Sequence, residues 1–195
     1  ARTSGVAPSY PWLSHYPQNV NWQQNFEPMP LPQLLDTTAE RYGACACTNF
    51  YGRIMTYAEI REAADRAAAG LQRLGVAKGT RVGLLLPNSP TFIIYYFGVL
   101  KAGGVVVNCN PLYTVEELTF QVRDSGAELM VTLDLKLLFN KVEALLAAGT
   151  LKQAVVASFP SLLPAAKSVL YRLMKGGDLA RPASSPVASK VIADA

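Results

Sequence analysis

Four short, continuous runs of apolar residues alternate with segments of helical pattern between residues 81 and 158. The runs read RVGLLL, VVVN, AELMVTL and LKQAVVAS. Strands without polar alternation are typical of a sheet that is covered on both faces. Strands and helices that alternate at this spacing indicate parallel βαβ units with right-handed crossovers. We therefore predict an α/β fold in three layers, with a mostly parallel sheet and helices on both faces.

The segment before the sheet carries signals for a hairpin and a long helix. ACACTNFYGRIMT predicts a hairpin that turns at Tyr51-Gly52. Thr56 and Glu59 have the spacing of a capping box, and Gly75 provides a stop. A further helix over residues 91–100 is apolar around its whole circumference, so we expect it to be buried on more than one side.

The stretch VVVNCNPLYTVEEL, residues 105–118, joins a strand to a helix. Asn108 and Asn110 can hydrogen-bond to the nearby chain, and a proline fixes the backbone. Thr114 and Glu117 form a second capping box. The loop leaves the carboxyl end of a parallel strand, where open α/β sheets bind ligands, but each of its residues already has a structural role. We interpret it as scaffold. The predicted scaffold motif comprises Asn108, Asn110, Pro111, Tyr113, Thr114 and Glu117.

Three segments divide the chain. Residues 1–30 are rich in proline and aromatic residues and predict an extended arm. Residues 31–158 form the α/β subdomain. Residues 159–195 comprise a basic amphipathic segment and a Pro/Ser/Ala linker toward a missing downstream part.

The basic segment contains Lys167, Arg172 and Lys175 opposite an apolar face, and no acidic residue lies between residues 159 and 177. Such a segment could lie on an anionic membrane surface. The alternative, which we favour from the sequence, is a surface helix packed on its own domain.

Several classes of function are disfavoured by composition. Eighteen basic against fourteen acidic residues give a net charge of +4, which is too weak a bias to indicate a nucleic-acid partner. Three cysteines do not make a disulfide framework and favour a reducing, cytoplasmic compartment. Cys45 and Cys47 are expected to be buried in packing. With Cys109 and the single histidine, His15, they do not make a metal site. We expect no signal peptide in ARTSGVAPSYPW.

Catalytic and phosphate-binding motifs are also missing from the sequence. One histidine, in the proline-rich arm, leaves no Ser-His or Cys-His pair. GVLKAGG lies between a helix and a strand and lacks the Lys-Ser/Thr ending of a phosphate loop. Ser89 is explained as the N-cap of a helix that begins at Pro90. We therefore assign no catalytic, cofactor-binding or metal-binding residue.

The chain resembles the amino-terminal portion of adenylate-forming acyl-CoA synthetases, specifically the long-chain fatty-acid–CoA ligases. The matching pieces are YPWLSHYP, MTYAEI, GVAKGTRVGLLLPNSP and YFGVLKAGGVVVNCNPLYTVEELTFQVRDSGAELMVT. The resemblance implies a two-step reaction in which a fatty acid and ATP, with Mg, give an acyl-adenylate and pyrophosphate, and CoA then displaces AMP. It also implies that the phosphate loop and the catalytic residues lie outside this chain. The fragment alone is therefore expected to be inactive and to bind none of these cofactors.

Two other interpretations stay open at this point. One is a free-standing flavodoxin-like ligand-binding module. The other is a non-enzymatic module that docks at a membrane or forms a homodimer. Either a cytoplasmic location or a peripheral one at the inner face of a membrane fits the sequence.

Overall fold

The computed structural model describes residues 10–194. Residues 10–30 belong to a unit of their own that ends at Pro30. The arm departs from a purely extended segment, because Pro11–His15 form a 3-10 helix that starts on a proline. Within the arm, the rings of Tyr10 and Trp12 stack at 4.9 Å. Those of Tyr16 and Trp22 meet edge to face at 5.2 Å.

The second unit begins with a helix and a hairpin. These are α1 (Leu31–Tyr42), β1 (Ala46–Phe50) and β2 (Arg53–Thr56). β1 and β2 are antiparallel and turn at Tyr51 and Gly52, whose φ angles of 53° and 96° are both positive. Two positive φ angles are the requirement of a type I′ hairpin turn. The predicted hairpin is confirmed.

The remaining elements alternate as the sequence predicts, except that the last strand, β7, was not predicted. They are α2 (Tyr57–Arg73), β3 (Arg81–Leu85), α3 (Pro90–Lys101), β4 (Val105–Asn108), α4 (Val115–Ser125), β5 (Leu129–Leu133), α5 (Lys136–Ala147), β6 (Gln153–Ala157), α6 (Ala165–Lys175) and β7 (Val191–Ala193). Both predicted capping boxes form, at the starts of α2 and α4.

The five strands β3 to β7 form one parallel sheet in the order β4-β3-β5-β6-β7. Counted along the chain this is the order 2-1-3-4-5, which is that of flavodoxin-like folds. Right-handed crossovers place α3 on one face and α4 and α5 on the other. The strands β5 and β6 are almost entirely buried, so the predicted three-layer α/β fold is confirmed.

The α2–α3 pair packs unusually closely. Gly98 of α3 lies against Ala67 of α2, where an added Cβ would stand 2.9 Å from the Ala67 Cβ. Every residue of α3 is at least partly buried, which confirms that this apolar helix is covered on more than one side. Lys101 at its end forms salt bridges with Asp36 of α1 and Asp65 of α2.

The carboxyl-terminal segment differs from the predicted linker. Val191–Ala193 pair with β6 and extend the sheet by one strand. The Tyr95 hydroxyl of α3 donates a hydrogen bond of 2.6 Å to Asp194 immediately after that strand. Composition alone suggested an irregular segment because the strand has only three residues, and its pairing partner is distant in sequence.

Candidate functional site

Open α/β sheets bind ligands at the carboxyl ends of their strands, at the point where the strand order reverses. In this sheet that point lies between β3 and β5. A cavity of about 290 Å³ lies beside the residues that follow β3. Its walls are Thr48, Asn49, Phe50, Asn88, Ser89, Pro90, Phe92 and Ile93. We take this cavity, called here the switch-point cavity, as the candidate site.

The loop after β3 fixes one wall of the switch-point cavity. Ser89 is buried, and its side chain accepts a hydrogen bond of 3.4 Å from the Phe92 amide. Pro90 follows as the first residue of α3. Both predicted features of this helix start are confirmed, and Ser89 is occupied as a cap rather than free to act as a nucleophile.

The hairpin forms the opposite wall. The Thr48 hydroxyl is buried and has no hydrogen-bond partner among residues 10–194. Asn49 uses its side-chain oxygen to accept a bond of 3.1 Å from the Gly52 amide. The polar groups of the switch-point cavity are therefore neutral hydroxyls and amides between aromatic and aliphatic side chains. They can hold a ligand by hydrogen bonds, but they provide no acid–base pair.

A second feature at the same edge of the sheet is Asp134, which directly follows β5. Its carboxylate accepts a hydrogen bond of 2.6 Å from the Phe159 amide. Burial raises the pKa of Asp134, although this bond and the charge of Arg172 oppose the change. Asp134 is not among the site residues predicted from the sequence. The available signal was an acid directly after a strand in which only Thr132 is polar.

The predicted scaffold loop after β4 is held by hydrogen bonds within the loop and from α4 and α5. Asn108 accepts a bond of 2.8 Å at its carbonyl from the Gln121 side chain. The Asn110 side chain accepts one of 3.0 Å from the Leu112 amide. The Pro111 carbonyl accepts one of 2.8 Å from Lys141 of α5.

The end of this loop is bound to the helix that follows. The Tyr113 amide donates to the Asn110 carbonyl at 3.0 Å, and its side chain packs against the core. The Thr114 hydroxyl accepts from the Glu117 amide at 3.2 Å, and the Glu117 carboxylate accepts from the Thr114 amide at 2.8 Å. None of these residues lines the switch-point cavity. Their hydrogen bonds hold the loop between β4 and α4, and the scaffold role stays a prediction.

The predicted membrane-contact residues lie on α6. Lys167 donates a hydrogen bond of 2.6 Å to the Tyr51 carbonyl, and Arg172 lies close enough to Asp134 to act on its pKa. Lys175 borders a groove of about 330 Å³. The other walls of this groove, the α6 groove, are Tyr51, Phe159, Leu163, Lys167, Leu170, Tyr171 and Met174.

The cysteines are partly as predicted. Cys45 is exposed rather than buried, because it lies in the turn before β1. Cys47 is half-buried, and burial raises the pKa of its thiol. Cys109 is buried in the core, where burial raises its pKa to about 11. Among residues 10–194 no three side chains of His, Cys, Asp or Glu come together in a way that could hold a metal ion.

Comparison with known proteins assigns the chain to a family. The model of the AMP-binding enzymes matches residues 35–185, and the chain belongs to that family. The long-chain-fatty-acid–CoA ligase of Bacillus subtilis is 39% identical over 163 residues, which are 84% of this chain and 29% of that protein. The 4-coumarate–CoA ligase 4 of Arabidopsis thaliana is 41% identical over 88 residues, or 45% of this chain and 15% of that protein.

A solved structure agrees with these relatives. The N-terminal domain of FACL13 from Mycobacterium tuberculosis matches with a TM-score of 0.61 and 28% identity, over 74% of this chain and 36% of that chain. The resemblance stated from the sequence motifs is confirmed. The chain spans less than a third of the length of the curated ligases named above. No helix in the described part of the chain combines the length and apolarity needed to cross a membrane.

Proposed function

We propose that this chain is the amino-terminal subdomain of an ATP-dependent long-chain fatty-acid–CoA ligase. The observation that carries the proposal is the 39% identity to such a ligase over 84% of the chain. The whole enzyme would join a fatty acid to AMP, release pyrophosphate, and then transfer the acyl group to CoA. The 4-coumarate ligase matches a smaller share of the chain, which favours a fatty acid over an aryl acid as the substrate.

In that reaction this chain would provide a scaffold and an apolar surface. It provides a rigid sheet whose carboxyl edge carries the switch-point cavity, with aromatic and aliphatic walls suited to an apolar part of a substrate. ATP, Mg and CoA would be the cosubstrates and metal of the whole enzyme. The described residues do not fit ATP or Mg, because they contain no acidic cluster for a metal and no glycine-rich phosphate loop between a strand and a helix.

We therefore expect the 195-residue chain alone to form no acyl-adenylate and to bind ATP weakly. Without groups that stabilise the charge developing on the transferred phosphate, the transition state gains nothing from the protein. Palmitate-dependent pyrophosphate release by this chain, or micromolar ATP binding in calorimetry, would contradict the expectation.

The ligase assignment is tested on the polypeptide of the uninterrupted reading frame that contains this sequence. It is incubated with ATP, Mg, CoA and one of palmitate, octanoate or 4-coumarate, and acyl-CoA is measured by mass spectrometry. We expect palmitoyl-CoA to form fastest. A preference for 4-coumarate would overturn the substrate class, and no thioester with any acid would overturn the function.

A free-standing flavodoxin-like binding module is the second candidate. Two observations favour it: the strand order 2-1-3-4-5 and the cavity beside the residues that follow β3, one of the two strands at which this order reverses. A reading frame that ends with this sequence, together with tight binding of a small ligand by the chain alone, would support it over the ligase. For either function we expect a cytoplasmic protein.

A further inference from the structure

The helix α6 packs on the protein with its apolar side outward. At 100° per residue, Val169, Leu170, Leu173 and Met174 fall within one arc of about 140°. All four are exposed, and Leu173 and Met174 reach 79% and 72%. No residue of α6 is fully buried. A helix that is packed only for stability places this arc on the core instead.

Contacts on the opposite side of α6 keep the arc outward. Tyr171 is half-buried, and its ring lies 5.0 Å from that of Phe159. Ser168 on the same side is also partly buried. At the edge of the arc, Lys167 ties the helix to the hairpin through the Tyr51 carbonyl. The outward direction of the apolar arc is therefore set by contacts with Phe159 and with the hairpin.

Basic side chains border the arc. Lys167 follows Met174 around the helix, and Arg172 lies about 60° beyond Val169 on the other side. The third basic residue, Lys175, lies about 100° beyond Met174, outside the arc, and is exposed at the α6 groove. No acidic residue occurs from residue 159 to residue 177. The helix itself thus joins apolar side chains to basic ones and contains no acid.

The combination of exposed apolar and basic side chains on α6 indicates the kind of partner that this face binds. Lysine is depleted at the cores of protein interfaces, and a protein partner generally presents both signs of charge. A helix with an apolar face and basic flanks instead lies in the plane of a bilayer, with its apolar side among the acyl chains and its cations at anionic headgroups. We propose that the outward face of α6 docks this protein on an anionic lipid bilayer. The proposal does not depend on the ligase activity, because its readout is vesicle binding.

The test uses co-sedimentation of the 195-residue chain with vesicles. One set of vesicles is phosphatidylcholine alone, and the other has equal parts of phosphatidylcholine and phosphatidylglycerol. Two variants change α6, and one control removes equal charge elsewhere. The α6 variants are Leu173→Gln and the triple change Lys167→Gln, Arg172→Gln and Lys175→Gln. The control is the triple change Arg73→Gln, Lys78→Gln and Arg123→Gln, at exposed positions outside α6.

We expect binding to the anionic vesicles only. Each basic residue near such a surface contributes about fivefold to partition, so the triple α6 variant should bind on the order of a hundredfold more weakly. Leu173→Gln should lose about tenfold because the side chain no longer enters the apolar layer. The control should bind within about twofold of the unchanged chain. Added salt should weaken binding, since it screens exposed charges.

Several results would overturn the proposal. One is an equal loss of vesicle binding in the triple α6 variant and in the triple control. It would mean that net charge, and not α6, decides binding. Another is unchanged binding by Leu173→Gln. A third is a folded chain, checked by circular dichroism, that does not bind anionic vesicles. Light scattering that shows a dimer dissociated by Leu173→Gln, without vesicle binding, would assign the face to a second copy instead.

Discussion

Gly98 of α3 and Gly70 of α2 are both helical glycines, and the same change should have different effects at the two positions. A Cβ at Gly98 would stand 2.9 Å from the Ala67 Cβ and 3.3 Å from the Ala64 carbonyl oxygen. Ordinary carbon–carbon contacts lie at 3.5–4.0 Å. At Gly70 the nearest atom is the end of the flexible Arg73 side chain, at 3.9 Å. We therefore expect Gly98→Ala to be less stable than Gly70→Ala.

The size of this difference can be estimated from the packing. Replacing a glycine within a helix by alanine gains up to about 1 kcal/mol of helix propensity at either site. Overpacking at Gly98 should cost about 1–3 kcal/mol. The clash cannot relax easily, because Ala64 and Ile60 of α2 are fully buried and Lys101 ties α3 to its neighbours.

Urea denaturation of the 195-residue chain measures the difference directly. Gly70→Ala should be up to about 1 kcal/mol more stable than the unchanged chain, and Gly98→Ala should be about 1–3 kcal/mol less stable than Gly70→Ala. Ala67→Gly should cost less stability in Gly98→Ala than in the unchanged chain, since it then removes the opposing methyl group as well as helix propensity. Equal stabilisation by the two alanines, or an equal cost of Ala67→Gly in both backgrounds, would show that α2 and α3 are not locked by this contact.

Two further changes test the edges of the fold, both by urea denaturation. Tyr95→Phe should cost about 1 kcal/mol because it removes the hydrogen bond that the Tyr95 hydroxyl donates to the Asp194 carboxylate. Burial raises the pKa of Asp194, so its native state holds a proton more tightly, and stability falls as pH rises from about 4 through the raised pKa. The Tyr95 hydroxyl opposes this rise because it donates to the ionised carboxylate. The cost of Tyr95→Phe should therefore be larger at neutral pH than in acid, and a pH-independent cost would contradict this reasoning. Thr114→Ala should cost about 1 kcal/mol through loss of the cap on the Glu117 amide; an unchanged midpoint would mean that the cap does not stabilise α4.

The sequence predicted those parts of the fold that depend on local signals. Thr56, Ser89 and Thr114 begin helices because each can accept a hydrogen bond from an amide three residues later. The positive φ angles of Tyr51 and Gly52 follow from the short hairpin loop. These interactions span few residues, so the sequence contains all the information they need.

The features that were not predicted depend on distant pairing. β7 has only three residues and is a strand because β6 offers it an edge. The apolar periodicity of α6 was visible in the sequence, but not the direction in which that face points. This direction follows from the contact between Tyr171 and Phe159. The switch-point cavity is likewise lined by both Thr48 and Ser89, which are about forty residues apart in the sequence. No local motif indicates that these two residues lie close together.

The position of the switch-point cavity follows mainly from α3. The first turn of this helix supplies Ser89 and Phe92 to the cavity, while its middle is held against α2 at Gly98. Tyr95 is bonded to the end of the sheet through Asp194. The α3 side of the cavity is thus held by packing against α2 and by the bond to Asp194, and the polar groups of the cavity are neutral. A neutral, mainly apolar wall suits the apolar part of a substrate and not its triphosphate cosubstrate. If the proposed ligase function is right, the charged groups that act on ATP must therefore come from other parts of the enzyme.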